Sequence, residues 1–235
     1  MSESRQRAID VAARLRSVGC KAYFAGGCVR DSLLGEEPHD YDIATDANPE
    51  QVQALFRKSQ AVGAHFGVVV VRSGSDHIEV ATFRTDGSFK DGRRPEVVTY
   101  STPEEDAQRR DFTVNGLSYD PVSDEAIDFV GGKADLEARL LRAIGHPASR
   151  VQEDHLRLMR AVRFATVLDR QIEPATWVAV KAEASTLAKI SIGRIRDEFM
   201  KIMLHANRVL GLDLLYGSGL PTWILLKGIC FSRVA

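Results

Sequence analysis

The stretch GGCVRDSLLGEEPHDYDIAT, residues 26–45, sets a glycine pair, an Arg-Asp step and two aspartates one residue apart into twenty positions. Aspartate is a poor strand former, so Asp40 and Asp42, which flank Tyr41 and run into Ile43, are not there for sheet propensity. In an extended segment residues i and i+2 share a face, which sets the two carboxylates side by side. With no basic residue between them, a divalent cation best explains the pair. Gly26 and Gly27 let backbone N–H groups close on an anion, and the helix start that follows favours negative charge. Phosphate and metal together point to nucleotide chemistry.

The flanking chain supplies a frame for this stretch. Residues 6–18 carry an apolar stripe at helical spacing that ends at Gly19, and AYFA (22–25) reads as a short buried strand. A helix over CVRDSLL closes at Gly35, DYDIAT forms the next strand, and Pro49 opens a helix through Phe56. FGVVVVR (66–72) and DHIEVATFR (76–84) flank Gly74 as a hairpin. Residues 85–95, TDGSFKDGRRP, are too polar to pack and predict a mobile loop. Strand signals end after AIDFVGG (126–132), and from about 147 the period is helical, over 151–168, 174–187 and 191–205. Function is expected where these two parts meet.

Composition narrows the class. A chain of 235 residues with 44% hydrophobic and 27% charged content has room for two modest globular domains. A formal net charge of −1 gives no global pull toward nucleic acid, so any such surface is local. Three cysteines, Cys20, Cys28 and Cys230, lack metal-ligand spacing and suit a reducing compartment. No segment has the apolar length of a membrane span.

Three further features carry chemistry. Glu79 lies mid-strand in HIEVATFR, either as a third acid beside the aspartates or as a solvent-facing strand residue. In RRDFTVNGLSYD (109–120) two arginines before an aspartate suit phosphate or ribose recognition, and Asn115 suits a sugar hydroxyl. A solvated helix end, with Arg109 and Arg110 pairing Glu104 and Asp106, explains the same residues. In the helix predicted from 151, wheel angles gather Arg150, Glu153, Asp154, Arg157 and Arg160 within roughly 120° of one another, opposite Leu158, Met159 and Val162. An acid and an arginine one turn apart offer acceptor and donor edges to a base; a row of surface salt bridges is the plainer reading.

In order along the chain, GGCVRDSLLG…HDYDIAT, ATFR, EEDAQRRDFTVN and EDHLRLMRAVRF resemble the motifs of class II tRNA nucleotidyltransferases and bacterial poly(A) polymerases. The resemblance runs from about residue 20 to 205. It implies an α+β fold: a polymerase-β-like nucleotidyltransferase head with a mixed sheet over 1–146, then an all-helical, nucleobase-recognising neck over 147–235. It implies Mg2+ on Asp40 and Asp42, with Glu79 as supporting acid. Gly26, Gly27 and Arg30 match triphosphate contacts, and Arg110, Asp111 and Asn115 the ribose and phosphate motif. Asp154 and Arg157 match the pair that selects CTP or ATP, with Arg160 and Arg163 as further nucleotide contacts. DGSFKDGRRP resembles the flexible loop that CCA-adding enzymes have and CC-only enzymes lack.

Two positions depart from the pattern: His39 stands in place of the usual lysine, and Gly193 in place of a glutamate. The resemblance also implies body and tail domains after the neck, and this sequence, which stops at residue 235, is expected to be without them. The apolar end, with Trp223, Ile224, Leu225, Leu226, Ile229, Cys230 and Phe231 around one charge, Lys227, predicts either a homodimer through 220–235 or a fragment that holds tRNA poorly. The activity implied is template-independent, magnesium-dependent addition of CCA to tRNA 3′ ends from CTP and ATP, in the cytoplasm and away from membranes. The alternatives are a poly(A) polymerase or A-adding enzyme of the same family, and a nucleotide- or RNA-binding module without catalysis.

Overall fold

The computed structural model describes residues 2–62, 67–87 and 98–226. Most of the expected mobile loop and the last nine residues of the expected dimer surface lie outside them. The described chain forms two compact units, one running to Gly87 and resuming over 98–134, the other starting at Asp135. This division falls before residue 146, where the sequence places the end of the head.

The first unit contains α1 (Glu3–Ser17), β1 (Ala22–Ala25), α2 (Gly27–Leu33), β2 (Asp42–Thr45), α3 (Pro49–Leu55), β3 (Ser59–Ala61), β4 (Val68–Ser73), β5 (Asp76–Thr82), β6 (Arg84–Asp86), β7 (Val98–Tyr100), α4 (Pro103–Gln108), β8 (Ser118–Asp120) and β9 (Glu125–Ile127). A mixed seven-stranded sheet in the order β3-β4-β5-β2-β1-β8-β9 organises it, and β6 pairs separately with β7. Among the described residues, only the β2–β5 pair is parallel within the large sheet. Period-2 patterning fixes the register: Ile78 and Val80 of β5 are buried while His77 and Glu79 are exposed. Helix α1 buries Ala8, Val11, Ala12 and Leu15, an apolar set at helical spacing. Helix α3 starts in a capping box, in which Asn48 and Gln51 satisfy each other's backbone N–H groups.

Strand β2 is shorter than the sequence suggests, since pairing begins at Asp42 and Asp40 lies in a bend. Tyr41 turns into the core, its ring 5.3 Å from that of Phe24, and the ladder starts only beyond it.

The second unit follows from α5 (Gly132–Glu137) and contains β10 (Leu140–Leu141), α6 (Pro147–Glu153), α7 (Arg157–Val167), β11 (Gln171–Ile172), α8 (Pro174–Ala182), α9 (Ile192–Met203), α10 (Arg208–Ser218) and α11 (Leu220–Leu226). It is helical apart from the two-residue parallel pair β10–β11. Leu158, Met159 and Val162 of α7, Ile195 and Ile202 of α9, and Leu220 are essentially inaccessible. Gly211 lets α10 approach closely, because a Cβ there would lie 2.4 Å from Ile202 Cγ2. Ile224 joins the core, whereas Leu225 and Leu226 remain exposed. Among the described residues no single helix is long and apolar enough to cross a membrane.

The single helix expected over 151–168 is broken. Helix α6 stops at Glu153, Asp154 is extended (φ −139°, ψ 104°), and α7 begins at Arg157. The Asp154 carboxylate accepts the Leu156 backbone N–H at 3.0 Å, and buried His155 is bonded through Nδ1 to the Val151 carbonyl. A side chain that captures backbone donors in this way competes with helix continuation. Residues 150–160 therefore do not share one helix wheel: Arg150 and Glu153 lie on α6, and Arg157 and Arg160 on α7.

Candidate active site

The parallel pairing of β2 with β5 sets Asp42 directly opposite Glu79. Both residues keep open surface, yet protein packs closely round the Asp42 carboxyl. That surrounding, followed by the negative charge of Glu79, pushes the carboxyl up to about 6; Arg110 opposes the rise and Asp40 adds to it. Glu79 is thus the stronger acidic neighbour of Asp42, ahead of Asp40. Asp40, in its bend, lines a polar concavity of about 250 Å³ with His39, Asp76 and His77.

The glycine turn meets the RRD segment through Arg110. Gly26 has φ +80° and caps α2, a backbone state that favours glycine. A Cβ there would lie 2.7 Å from Arg110 Nη1. Arg110 is held by Asp106, its Nη2 donating to Oδ2 at 3.1 Å, while Arg109 donates to Oδ1 of the same carboxylate at 2.8 Å. Asp106 is buried. Burial would raise its pKa, but Arg110 and Arg109 hold it below the usual carboxylate value. The reading of a solvated helix end is therefore replaced by an internal anchor, and Glu104 remains exposed.

Behind this anchor lies a second, interior chain of bonds. Arg30 donates to Asn115 Oδ1 at 2.6 Å and to Asp31 Oδ1 at 2.7 Å. Asn115 Nδ2 in turn donates to Asp111 Oδ1 at 3.0 Å. Arg30, Asp111 and Asn115 are all buried. The network joins α2 to the turn after α4 and fixes both beside Gly26 and Gly27. The sequence places Asn115 on a sugar hydroxyl, but both ends of its amide already have protein partners.

In the second unit Glu153 Oε2 accepts Arg150 Nη1 and Arg157 Nη1, each at 2.7 Å. Arg157 also donates to the Arg150 carbonyl at 2.7 Å. Asp154 is bridged by Arg194 of α9 at 3.3 Å, a partner the sequence reading missed. Arg160 lies over the Phe164 ring, and Arg163 is bonded to the buried Glu198, so that residue ties α7 to α9. Gly193 is exposed, with nothing within 4 Å of a Cβ added there.

Among the described residues no three His, Cys, Asp or Glu side chains gather as a metal-holding group. The Asp42–Glu79 pair nevertheless fits a hard dication, because the negative charge of Glu79 raises the cost of ionising Asp42, and a bound cation would relieve that cost.

Residues 22–142 match the family model for the Poly A polymerase head domain, and residues 171–228 match the model "Probable RNA and SrmB- binding site of polymerase A". The chain is 43% identical over 208 residues to the CCA-adding enzyme of Limosilactobacillus reuteri (strain DSM 20016), covering 88% of this chain and 51% of that one. The CCA-adding enzyme of Enterococcus faecalis (strain ATCC 700802 / V583) gives the same identity and coverage. Among solved structures, the Bacillus stearothermophilus CCA-adding enzyme in complex with CTP matches with a TM-score of 0.88 and 40% identity, over 95% of this chain and 54% of that one. A tRNA nucleotidyltransferase complexed with a primer tRNA and an incoming ATP analog matches with a TM-score of 0.78 and 26% identity, over 94% and 64%. The chain spans about half the length of the curated relatives it matches.

Proposed function

The chain belongs to the Poly A polymerase head-domain family, and from that premise we propose that it carries the catalytic and base-selecting parts of a CCA-adding tRNA nucleotidyltransferase. One observation carries the reading. Arg110 lies against the Gly26 turn and its charge is felt at Asp42, so a phosphate-type donor comes together with the Asp42–Glu79 pair. The CCA-adding names of the relatives at 43% identity support CCA output over addition of A alone.

In the proposed reaction the 3′-oxygen of the RNA bonds to the α-phosphorus of CTP or ATP, and the bond to the β-phosphate breaks to release pyrophosphate. Asp40 and Asp42, with Glu79 opposite Asp42 as supporting acid, would hold Mg2+. When bound, that ion supplies a lowered hydroxyl pKa and neutralises charge on the leaving group. Arg110, fixed by Asp106, orients the triphosphate beside Gly26 and Gly27, and the buried Arg30–Asn115–Asp111 network keeps that turn rigid. Arg157 held by Glu153, and Asp154 held by Arg194, present a donor and an acceptor for the base. Arg160 and Arg163 support this helix rather than touch nucleotide in our reading. We assign residues 1–146 as head and 147–235 as neck. The cytoplasm is the proposed setting, which the free thiols Cys20 and Cys28 suit.

The test is incorporation of labelled CTP into tRNA lacking its terminal CCA, in magnesium buffer. Incorporation that is lost in Asp42→Asn supports the proposal; no incorporation by the parent chain overturns it.

A further inference from the structure

The first unit carries a second cationic feature that the chemistry above does not use. Arg14 of α1, Arg57 and Lys58 after α3, and Arg72 of β4 line one concavity of about 490 Å³, together with Phe56 and no acidic residue. All four cations are exposed, and none is in an ion pair among the described residues. Several other arginines of the same unit face carboxylates: Arg7 pairs with Asp76, Arg16 with Asp120, and Arg109 and Arg110 share Asp106.

The arrangement is built rather than accidental. The Arg72 N–H donates to the Lys58 carbonyl at 2.9 Å, which fixes β4 beside the 57–58 segment. The Arg14 guanidinium sits 5.6 Å from the centre of the Phe56 ring, which restrains it. Cations after a helix C-terminus complement the helix dipole, and this accounts for Arg57 and Lys58. It does not account for Arg14 and Arg72, which arrive from other elements. Like charges gathered at one place cost free energy unless an anion answers them.

We infer that this concavity binds the phosphodiester backbone of an RNA strand, as a site separate from the Asp42–Glu79 face. No lining residue is shared with that face or with the Gly26–Arg110 turn. A net charge of −1 for the whole chain makes a local cluster the physical route to RNA affinity. RNA as the ligand rests on the proposed function; the cationic cluster does not.

The experiment compares the parent chain with R57Q/K58Q and the charge-retaining R57K/K58R, measuring tRNA affinity across salt and CTP affinity for each. R57Q/K58Q is expected to bind tRNA about tenfold more weakly near 0.1 M salt, with the log–log salt slope reduced by about 1.5. R57K/K58R should keep the parent's affinity, and CTP binding should not change in either variant. The same tRNA affinity and slope in R57Q/K58Q, while the parent still extends tRNA, overturns the RNA site and leaves the proposed function standing. Loss of CTP binding instead of tRNA binding also overturns it, by assigning the cluster to free nucleotide. A parent chain that neither extends nor binds tRNA removes both readings.

Discussion

Asp42 and Glu79 face each other across a parallel strand pair of the large sheet, residue opposite residue in register. Each is therefore the nearest strand-borne answer to a cation held by the other. Asp42→Asn should preserve the fold, since the residue lies at the open end of β2, and should cut nucleotide incorporation by about a hundredfold or more, because a neutral amide replaces a hard anionic ligand poorly. Glu79→Gln should cut it by about tenfold or more. Incorporation assays with circular dichroism on each variant check both. Turnover within tenfold of the parent for Asp42→Asn would remove that residue from the site.

The raised carboxyl of Asp42, at about 6, gives a pH dependence with a definite sign. The fold disfavours the charged form, so in the metal-free chain this group favours the folded state more as pH falls from about 7 to 5. A dication needs the ionised form and competes with that proton. Mn2+ affinity should therefore drop about tenfold between pH 7 and pH 5, and Asp42→Asn should abolish the difference. Titration calorimetry at the two pH values measures it; equal affinity at both would contradict the assignment.

Asp106 anchors both arginines from an interior position, so its removal should be felt in stability and in nucleotide binding. Asp106→Asn is expected to cost about 3 kcal/mol at neutral pH, the scale for breaking a buried ion pair. The folded pKa is lowered, so this contribution is present above the unfolded value of about 3.9 and is lost as pH falls through the folded one. Urea unfolding should thus separate parent and variant at pH 7 and bring them progressively together as pH falls from about 4 through the lowered folded pKa. CTP affinity should fall as well, as Arg110 loses its fixed position.

Much of this arrangement was legible in the sequence, for physical reasons that differ by element. Strand β4 carries a run of four valines and β5 alternates Ile78, Val80 and Thr82 with other residues, and the glycine turn with its two aspartates is unusual chemistry at short range. The Asp-Ala-Gln-Arg-Arg spacing was also readable as salt bridging, but nothing local says that Asp106 is buried. The break at Asp154 escaped because its cause is a carboxylate turning onto the Leu156 N–H, while the residue types on both sides continue a helical pattern. Strands of three residues such as β3, β6 and β7 are too short to show a period. The Asp154–Arg194 bridge joins residues forty positions apart, a distance at which local pattern carries no information.

In the second unit the shared carboxylate of Glu153 holds Arg150 and Arg157 together. Arg157→Ala should impair the choice of base more than the binding of triphosphate, raising UTP and GTP misincorporation by about tenfold relative to CTP. Glu153→Gln should do the same to a smaller degree, because the arginine remains but its orientation loosens. Competition assays with mixed nucleotides read both effects. Misincorporation at the parent level in Arg157→Ala would reduce this cluster to a structural salt-bridge row.

Whether the chain builds a CCA end is decided by the sequence of its product. The protein is incubated with tRNA lacking its 3′ terminus in the presence of CTP alone, ATP alone, and both, and the product ends are sequenced. The account predicts C-C with CTP alone, no extension with ATP alone, and C-C-A with both. Runs of A formed from ATP with CTP ignored, or no extension under any condition, would contradict it.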